Sequence, residues 1–185
     1  MAYVPVAKPS SIHIIITYAT NKGWSLVIYD VKTVFLHAQL IYIIYCKLIP
    51  GFKLIDAGPD DNALIAQHAI YGLKQSSCEF YLLLKSVLVD LGFVICNVDH
   101  AVFCTCFAEP PDLSIPMSED SEDLLIIMPV YINDGLVATN SLLLYHWVLA
   151  HMNEHIEVID QGPVSLYLDI WFTCDLLMKT LWLSQ

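Results

Sequence analysis

The chain has 185 residues, 57% of them hydrophobic, and its 8 Lys, no Arg and 19 acids give a formal charge of −11. A chain of this size supports one substantial core or two intimately packed lobes and excludes the several domains of a complete replicative protein. Charge is unevenly spread: residues 1–85 hold seven Lys against five acids, a balance of +2, whereas residues 86–185 hold one Lys, Lys179, against fourteen acids, a balance of −13. A surface that grips a phosphate backbone needs clustered cations to displace condensed counterions, so tight nucleic-acid binding is not expected of the second half.

The positive mean hydropathy invites a membrane reading. Apolar runs such as Leu124–Met128 are nevertheless far shorter than the roughly 20 residues a bilayer span needs. Met1–Ser11 lacks a basic stretch followed by an apolar core and a small-residue cleavage site, so no secretion is expected. An intracellular protein without a transmembrane segment is the reading. Six cysteines (Cys46, Cys78, Cys96, Cys104, Cys106, Cys174) are scattered without CxxC spacing, which favours neither disulfides nor a closed zinc site.

In chain order, Ile12, Ile15, Ile16 and Ala19 recur at helical spacing from Ser10, and Asn21-Lys22-Gly23 stops them. Trp24 to Val31 alternates as a strand does and carries Asp30 near its end. Leu40–Ile49 is apolar and strand-like, and Pro50-Gly51 with Gly58-Pro59-Asp60-Asp61 marks a loop. Phe80, Leu83, Leu84, Val87, Leu88 and Leu91 hold one helical face, with Gly92 where a left-handed C-cap belongs. Short strands are expected over Phe93–Cys96 and Val102–Phe107.

Residues Glu109–Asp123, with three prolines, six acids and no base, read as a solvated loop. Leu124–Ile132 reads as a buried strand, Asn133-Asp134-Gly135 as a tight hairpin turn and Leu136–Thr139 as the return strand. Ser141 can cap a helix reaching about Glu157, and Ser165–Phe172 with Leu176–Leu183 looks like a closing pair of strands. Helices mixed with hairpins indicate an α+β class with a mainly antiparallel sheet.

The strand end at Asp30 and the hairpin tip at Asp134 are the two places where a sheet would present carboxylates side by side. Such carboxylates hold the two divalent ions of a two-metal phosphoryl transferase. Taken alone, an Asp near a strand end and an Asn-Asp-Gly turn are ordinary structural features.

Several blocks occur in one order: Tyr3-Val4-Pro5-Val6-Ala7-Lys8 with Ser11-Ile12-His13, Tyr29-Asp30-Val31-Lys32-Thr33-Val34-Phe35-Leu36, Pro50-Gly51-Phe52, Ala69-Ile70-Tyr71-Gly72-Leu73-Lys74-Gln75, Leu91-Gly92-Phe93, Val130-Tyr131-Ile132-Asn133-Asp134 and Leu181-Trp182-Leu183-Ser184-Gln185. In that order and at those separations the chain resembles the reverse transcriptases (RNA-directed DNA polymerases) of copia-type LTR retrotransposons over nearly its whole length.

The resemblance implies a fingers and palm domain with a mainly antiparallel palm sheet flanked by helices: residues 1–29 and 40–75 fingers-like, residues 30–39 and 76–185 palm-like. Thumb, ribonuclease H and integrase parts are absent on this reading. It implies Mg2+ as cofactor, and an RNA template, DNA primer and deoxynucleoside triphosphate as ancestral partners.

Asp30 resembles the first metal-binding aspartate, Val31 the residue whose carbonyl helps hold the metal, and Phe35 the gate against a ribose 2′-hydroxyl. Gln75 resembles the residue touching the incoming nucleotide and template, supported by the turn containing Lys74. Asp134 matches the second aspartate of the Tyr-Val-Asp-Asp turn, and Asn133 stands where the first should be.

That substitution removes one negative charge meant for two dications, so metal affinity and turnover are expected to fall by orders of magnitude. His13 replaces an arginine expected near the nucleotide phosphates, and Ser76-Ser77-Cys78-Glu79 replaces a segment that usually reads Ala-Pro-Arg-Ala. Neither Cys nor neutral His imitates a guanidinium on phosphate. The resemblance therefore implies a degenerate, catalytically impaired copy.

Two other readings compete. His151-Met152-Asn153-Glu154-His155 matches the H-x-x-E-H pattern of inverted zinc proteases, with Asp160 or Asp169 as nominal third ligands, although seven histidines suffice to produce so short a pattern by chance. Alternatively the chain is a non-enzymatic acidic interaction module, contacting a protein partner through aromatics such as Trp147 or Trp182. Apolar residues left uncovered on the surface would promote self-association.

Overall fold

The computed structural model describes residues 4–49, 51, 63–112, 115–116, 123–175 and 180–184. The expected loop at Gly58-Pro59-Asp60-Asp61, the Phe52 block, most of the acidic stretch before Asp123 and residues 176–179 lie outside them.

The first helix, α1 (Pro9–Lys22), begins with proline at its first position and ends at Gly23, whose φ of 70° provides the left-handed cap. Ile12, Ile15, Ile16 and Ala19 are its buried face, as the spacing predicts. Asp99, itself buried, accepts from the Lys8 amide at 2.8 Å and thereby holds the entry to this helix.

Strand β1 (Ser25–Val31) is followed by a single 3-10 turn, Val34–His37. Strands β2 (Gln39–Lys47) and β3 (Ala63–His68) then pair as a two-stranded ribbon. Helix α2 (Ser76–Asp90) buries Phe80, Leu84, Val87 and Leu88, and Gly92 follows it at φ 88°. Next come β4 (Val94–Ile95), β5 (Val102–Phe107), β6 (Leu124–Tyr131) and β7 (Asp134–Thr139). Helix α3 (Leu142–Met152) starts at Ser141, whose hydroxyl accepts from the Leu144 amide as an N-cap should. Strands β8 (Val158–Pro163), β9 (Leu166–Tyr167), β10 (Ile170–Asp175) and β11 (Thr180–Ser184) complete the described chain.

A six-stranded antiparallel sheet in the order β4-β5-β6-β7-β1-β8 forms the centre, with a separate three-stranded sheet β11-β10-β9. Period-two alternation sends Val27, Tyr29 and Val31 to the face covered by α2 and α3, where Phe80, Leu84, Leu88, Leu144, Val148 and Met152 pack. Ile28 of β1 and Leu136 of β7 point to the other face, against Ile12 and Ile16 of α1. The expected α+β class with a mainly antiparallel sheet and three helices is observed. No helix among the described residues is long and apolar enough to cross a membrane.

Four expectations need correction. The hairpin turn is Ile132-Asn133, because Tyr131 pairs with Asp134 and Gly135 already lies within β7. Ile132 takes φ 57°, an unfavourable value for a β-branched residue, and so carried no turn signal. Helix α3 stops at Met152 rather than near Glu157. Asn153 stops it: its Nδ2 donates to the Leu149 carbonyl at 3.1 Å and its Oδ1 accepts from the Val158 amide at 2.8 Å, which leads the chain directly into β8.

The expected single strand Ser165–Phe172 is a hairpin, β9 to β10, turning at Leu168 and Asp169 with φ 50° and 61°. Two positive φ values in a two-residue loop are the geometry that matches strand twist. Finally, β3 and β8 were not anticipated at all.

Candidate functional site

Because β1 and β7 are antiparallel neighbours, Asp30 and Asp134 are direct cross-strand partners. Each lies two positions from an α1-facing residue of its strand, Ile28 and Leu136 respectively, so both carboxylates emerge on that same face. Asn133, in the turn, sends its Nδ2 to Asp30 Oδ1 at 3.0 Å and to Asp134 Oδ1 at 3.2 Å. With acceptors on both sides, the amide must present its NH2 group here. The turn is also tied through the backbone, the Val31 amide donating to the Asn133 carbonyl at 3.0 Å. All three polar side chains are half-buried.

Burial first, and then the neighbouring Asp30 carboxylate, push the Asp134 carboxyl above its ordinary value. Beneath the pair lies Tyr29, 1% exposed, whose hydroxyl has no hydrogen-bond partner among the described residues. Burial, with Asp134 adding to it, pushes that hydroxyl well above the usual tyrosine range, so it stays protonated. Tyr167 approaches from β9 and its hydroxyl donates weakly to the Asp134 carbonyl at 3.5 Å. Tyr29 and Tyr167 were missed in the sequence because an apolar-looking strand residue and a tyrosine far downstream carry no signature of proximity to Asp134.

The remaining predicted residues do not join this pair through any hydrogen bond among the described residues. Val31 is buried in the core and pairs with Val158. Phe35 lies on the 3-10 turn, its ring edge-on to Tyr71 at 4.8 Å between centroids. The Ala69 amide donates to the Ala38 carbonyl at 2.8 Å, which brings the Tyr71-Gly72-Leu73-Lys74-Gln75 turn beside Phe35. Gly72 supplies the φ of 93° that this turn requires, and the buried Ser76 hydroxyl donates to the Ile70 carbonyl to brace it. Lys74 is exposed; Gln75 occupies the N-cap position of α2 without a side-chain cap bond. No hydrogen bond among the described residues connects Lys74 or Gln75 to the carboxylates.

The H-x-x-E-H segment does not form the arrangement its pattern requires. His151 lies in the last turn of α3, with Nδ1 2.8 Å from the Trp147 carbonyl and its ring against that indole. His155 lies beyond the helix end, so the two histidines do not share one helical face. Asp160 is engaged by the Tyr145 hydroxyl at 2.8 Å, and Asp169 sits in the β9–β10 turn. Among the described residues no group of three or more His, Cys, Asp or Glu is placed to hold a metal ion.

Residues 1–183 match the family described as Reverse transcriptase (RNA-dependent DNA polymerase). The chain is 27% identical over 168 residues, 91% of its length and 10% of the relative's, to the Retrovirus-related Pol polyprotein from transposon RE1 of Arabidopsis thaliana. It is 26% identical over 183 residues, 99% of its length and 13% of the relative's, to the corresponding polyprotein from transposon TNT 1-94 of Nicotiana tabacum. A third relative, the Putative transposon Ty5-1 protein YCL074W of Saccharomyces cerevisiae, is 26% identical over 141 residues, 76% of the chain and 41% of the relative. The chain thus spans about a tenth of the length of the Pol polyproteins it matches. No solved structure matches it. With the family match covering 183 of its 185 residues, the chain belongs to the reverse transcriptase (RNA-dependent DNA polymerase) family.

Proposed function

We propose that the chain is the fingers and palm region of a copia-type retrotransposon reverse transcriptase in which nucleotidyl transfer is strongly impaired. In this assignment residues 1–29 and 40–75 are fingers-like, residues 30–39 and 76–185 palm-like, and Asp30 with Asp134 is the remnant of the polymerase site. The observation that carries it is the cross-strand pairing of Asp30 with Asp134, with the Asn133 amide donating to both.

A divalent metal, when bound in this family, supplies the positive charge that phosphoryl transfer requires. The donor set fits a pair of such ions poorly. Two carboxylates offer −2 against +4, and an amide NH2 sits between them in the place a cation would take. Asp30 and Asp134 would hold at most a single dication, and only after Asn133 turns its amide away. What the chain's own residues do is position: β1 and β7 fix the two carboxylates, the Val31–Asn133 backbone bond fixes the turn, and Phe35 packs edge-on against Tyr71.

Losses elsewhere support the same reading. His13 is exposed on α1, and Cys78, in the first turn of α2 beside the acidic Glu79, stands where the family resemblance calls for an arginine. Both changes weaken the hold on a triphosphate.

Primer extension on an RNA template with Mg2+ or Mn2+ tests the proposal. The chain as it stands should extend at least about a hundredfold more slowly than Asn133→Asp, the loss expected when charge stabilisation at a transferring phosphoryl group is removed. Extension at equal rates by both forms would overturn the impairment.

A further inference from the structure

At the opposite end of β1 from Asp30, about 16 Å away at the rise of an extended strand, the structure holds a cavity of about 480 Å³. Its walls are apolar and come from distant parts of the chain: Trp24 and Leu26 at the start of β1, Leu142 at the head of α3, Val164 after β8 and Leu181 of β11. A pocket of this size falls within the range of small-molecule sites.

One end of the cavity is polar, and it is organised. Asp160 Oδ1 accepts from the Tyr145 hydroxyl at 2.8 Å and from the Gly162 amide at 2.8 Å, which fixes the carboxylate. Its second oxygen, Oδ2, faces His146 Nδ1 at 3.8 Å, too far for a hydrogen bond. Asp160 is itself exposed at the mouth of the cavity, but Tyr145 is fully buried, so the carboxylate is tied to the core.

The chemistry of the lining selects the class of ligand. A fixed carboxylate in a chain of charge −11 repels anions. One carboxylate beside an imidazole nitrogen falls short of the set of oxygen donors a hard dication takes. The apolar walls also leave a small hydrated ion without partners on that side. What satisfies both ends is an organic cation: an apolar body against the walls and a charged head at the free oxygen.

We infer that this cavity binds a small organic amine carried on an apolar or aromatic body, with its ammonium on Asp160 Oδ2 and its body between Trp24, Leu26 and Leu142. The site is independent of the carboxylate pair at Asp30 and Asp134. A bound amine touches β8 and α3 on one side and β11 on the other, and so fastens the three-stranded sheet to the six-stranded one.

Calorimetric titration of the 185-residue chain with 2-phenylethylamine, with its uncharged counterpart 2-phenylethanol and with ethylamine tests this. Saturable one-site binding of 2-phenylethylamine is expected, with each of the other two at least about tenfold weaker. Asp160→Asn retains an acceptor for Tyr145 and Gly162 but removes the charge, and should reduce the amine to the affinity of the alcohol. Leu142→Trp, at the rim, should fill the cavity and abolish binding of both. The inference is overturned by no saturable heat with 2-phenylethylamine, by equal affinity for amine and alcohol, or by binding that survives Leu142→Trp. This last variant decides the matter should Asp160→Asn fail to fold.

Discussion

Tyr29 and Gly135 are cross-strand partners, and the tyrosine ring lies over the glycine in the space a Cβ would occupy. Gly135 is therefore a packing glycine rather than a turn glycine. Gly135→Ala should lower stability by about 1–3 kcal/mol, the cost of overpacking a fully buried ring, seen as a lower urea midpoint at unchanged slope. Shrinking the ring in Tyr29→Val/Gly135→Ala should recover part of that loss. Additive effects of the two substitutions would contradict the contact.

The Tyr29 hydroxyl is buried without a partner among the described residues. Removing an unsatisfied buried hydroxyl while keeping the ring relieves a desolvation cost of about 1–3 kcal/mol. Tyr29→Phe is accordingly predicted to fold with unchanged or greater stability in thermal unfolding. A clear loss would reveal a partner for the hydroxyl.

Asp134 has its carboxyl held above the ordinary value of 3.8 by burial and then by Asp30. A group raised in the folded state binds more protons there than in the unfolded chain. Its contribution is fully present below pH about 3.8 and is lost as pH rises through the folded value. Asp134→Asn should thus raise the melting temperature at neutral pH by a few degrees at most, the site being only half-buried, with the gain fading in acid. A stabilisation equal at pH 3 and pH 7 would count against this origin.

Asp99 behaves in the opposite sense. Burial pushes its carboxyl up, but bonds from the Ser11 side chain and from the Lys8 and Ala101 amides, with the Lys8 charge, outweigh it and hold the group below 3.8. Its stabilisation is present above that value and lost as pH falls through the folded one. Asp99→Ala leaves the buried Ala101 amide and the half-covered Lys8 amide without their acceptor and should cost about 1–3 kcal/mol, and it should flatten the acid limb of the stability profile. An unchanged acid limb would show that Asp99 does not carry it.

Tyr45 and Ile65 are cross-strand partners on the β2–β3 ribbon, exposed by 69 and 58%, and Ile41 and Ile43 of the same ribbon are exposed by 73 and 71%. So many exposed apolar side chains on one ribbon promote association. Concentration-dependent elution in size-exclusion chromatography is expected, and Ile43→Lys with Tyr45→Thr should shift the chain towards monomer. A clean monomer at high concentration without the substitutions would refute this.

Where burial follows a period, the fold was legible. The Ile12, Ile15, Ile16 and Ala19 stripe of α1, the Phe80 to Leu88 stripe of α2 and the Ser141 cap all come from residues whose surroundings are largely set by their own helix. The juxtaposition of Asp30 with Asp134 was readable only through motif order, since nothing in either strand names its partner. Other elements left no trace. β3 is exposed at nearly every position, so it has no alternation to detect. β8 is an edge strand, where Gly162 and Pro163 are tolerated although they read as loop. Leu168 and Ile132 adopt left-handed φ values imposed by the strands around them, not by their own preference. The cavity at Asp160 joins residues from Trp24 to Leu181, a separation no local pattern spans.

The sheet order has a consequence in time as well as in space. β1 takes both its neighbours, β7 and β8, from more than a hundred residues downstream, and the Asn133–Asp30 bond closes a separation of 103. Contacts of that range form late, because chain closure must be met before any pairing energy returns. During synthesis β1 therefore waits with both edges open until the hairpin and β8 have emerged. Its interval of vulnerability to other strands is set by the rate of translation, not by the stability of the finished fold.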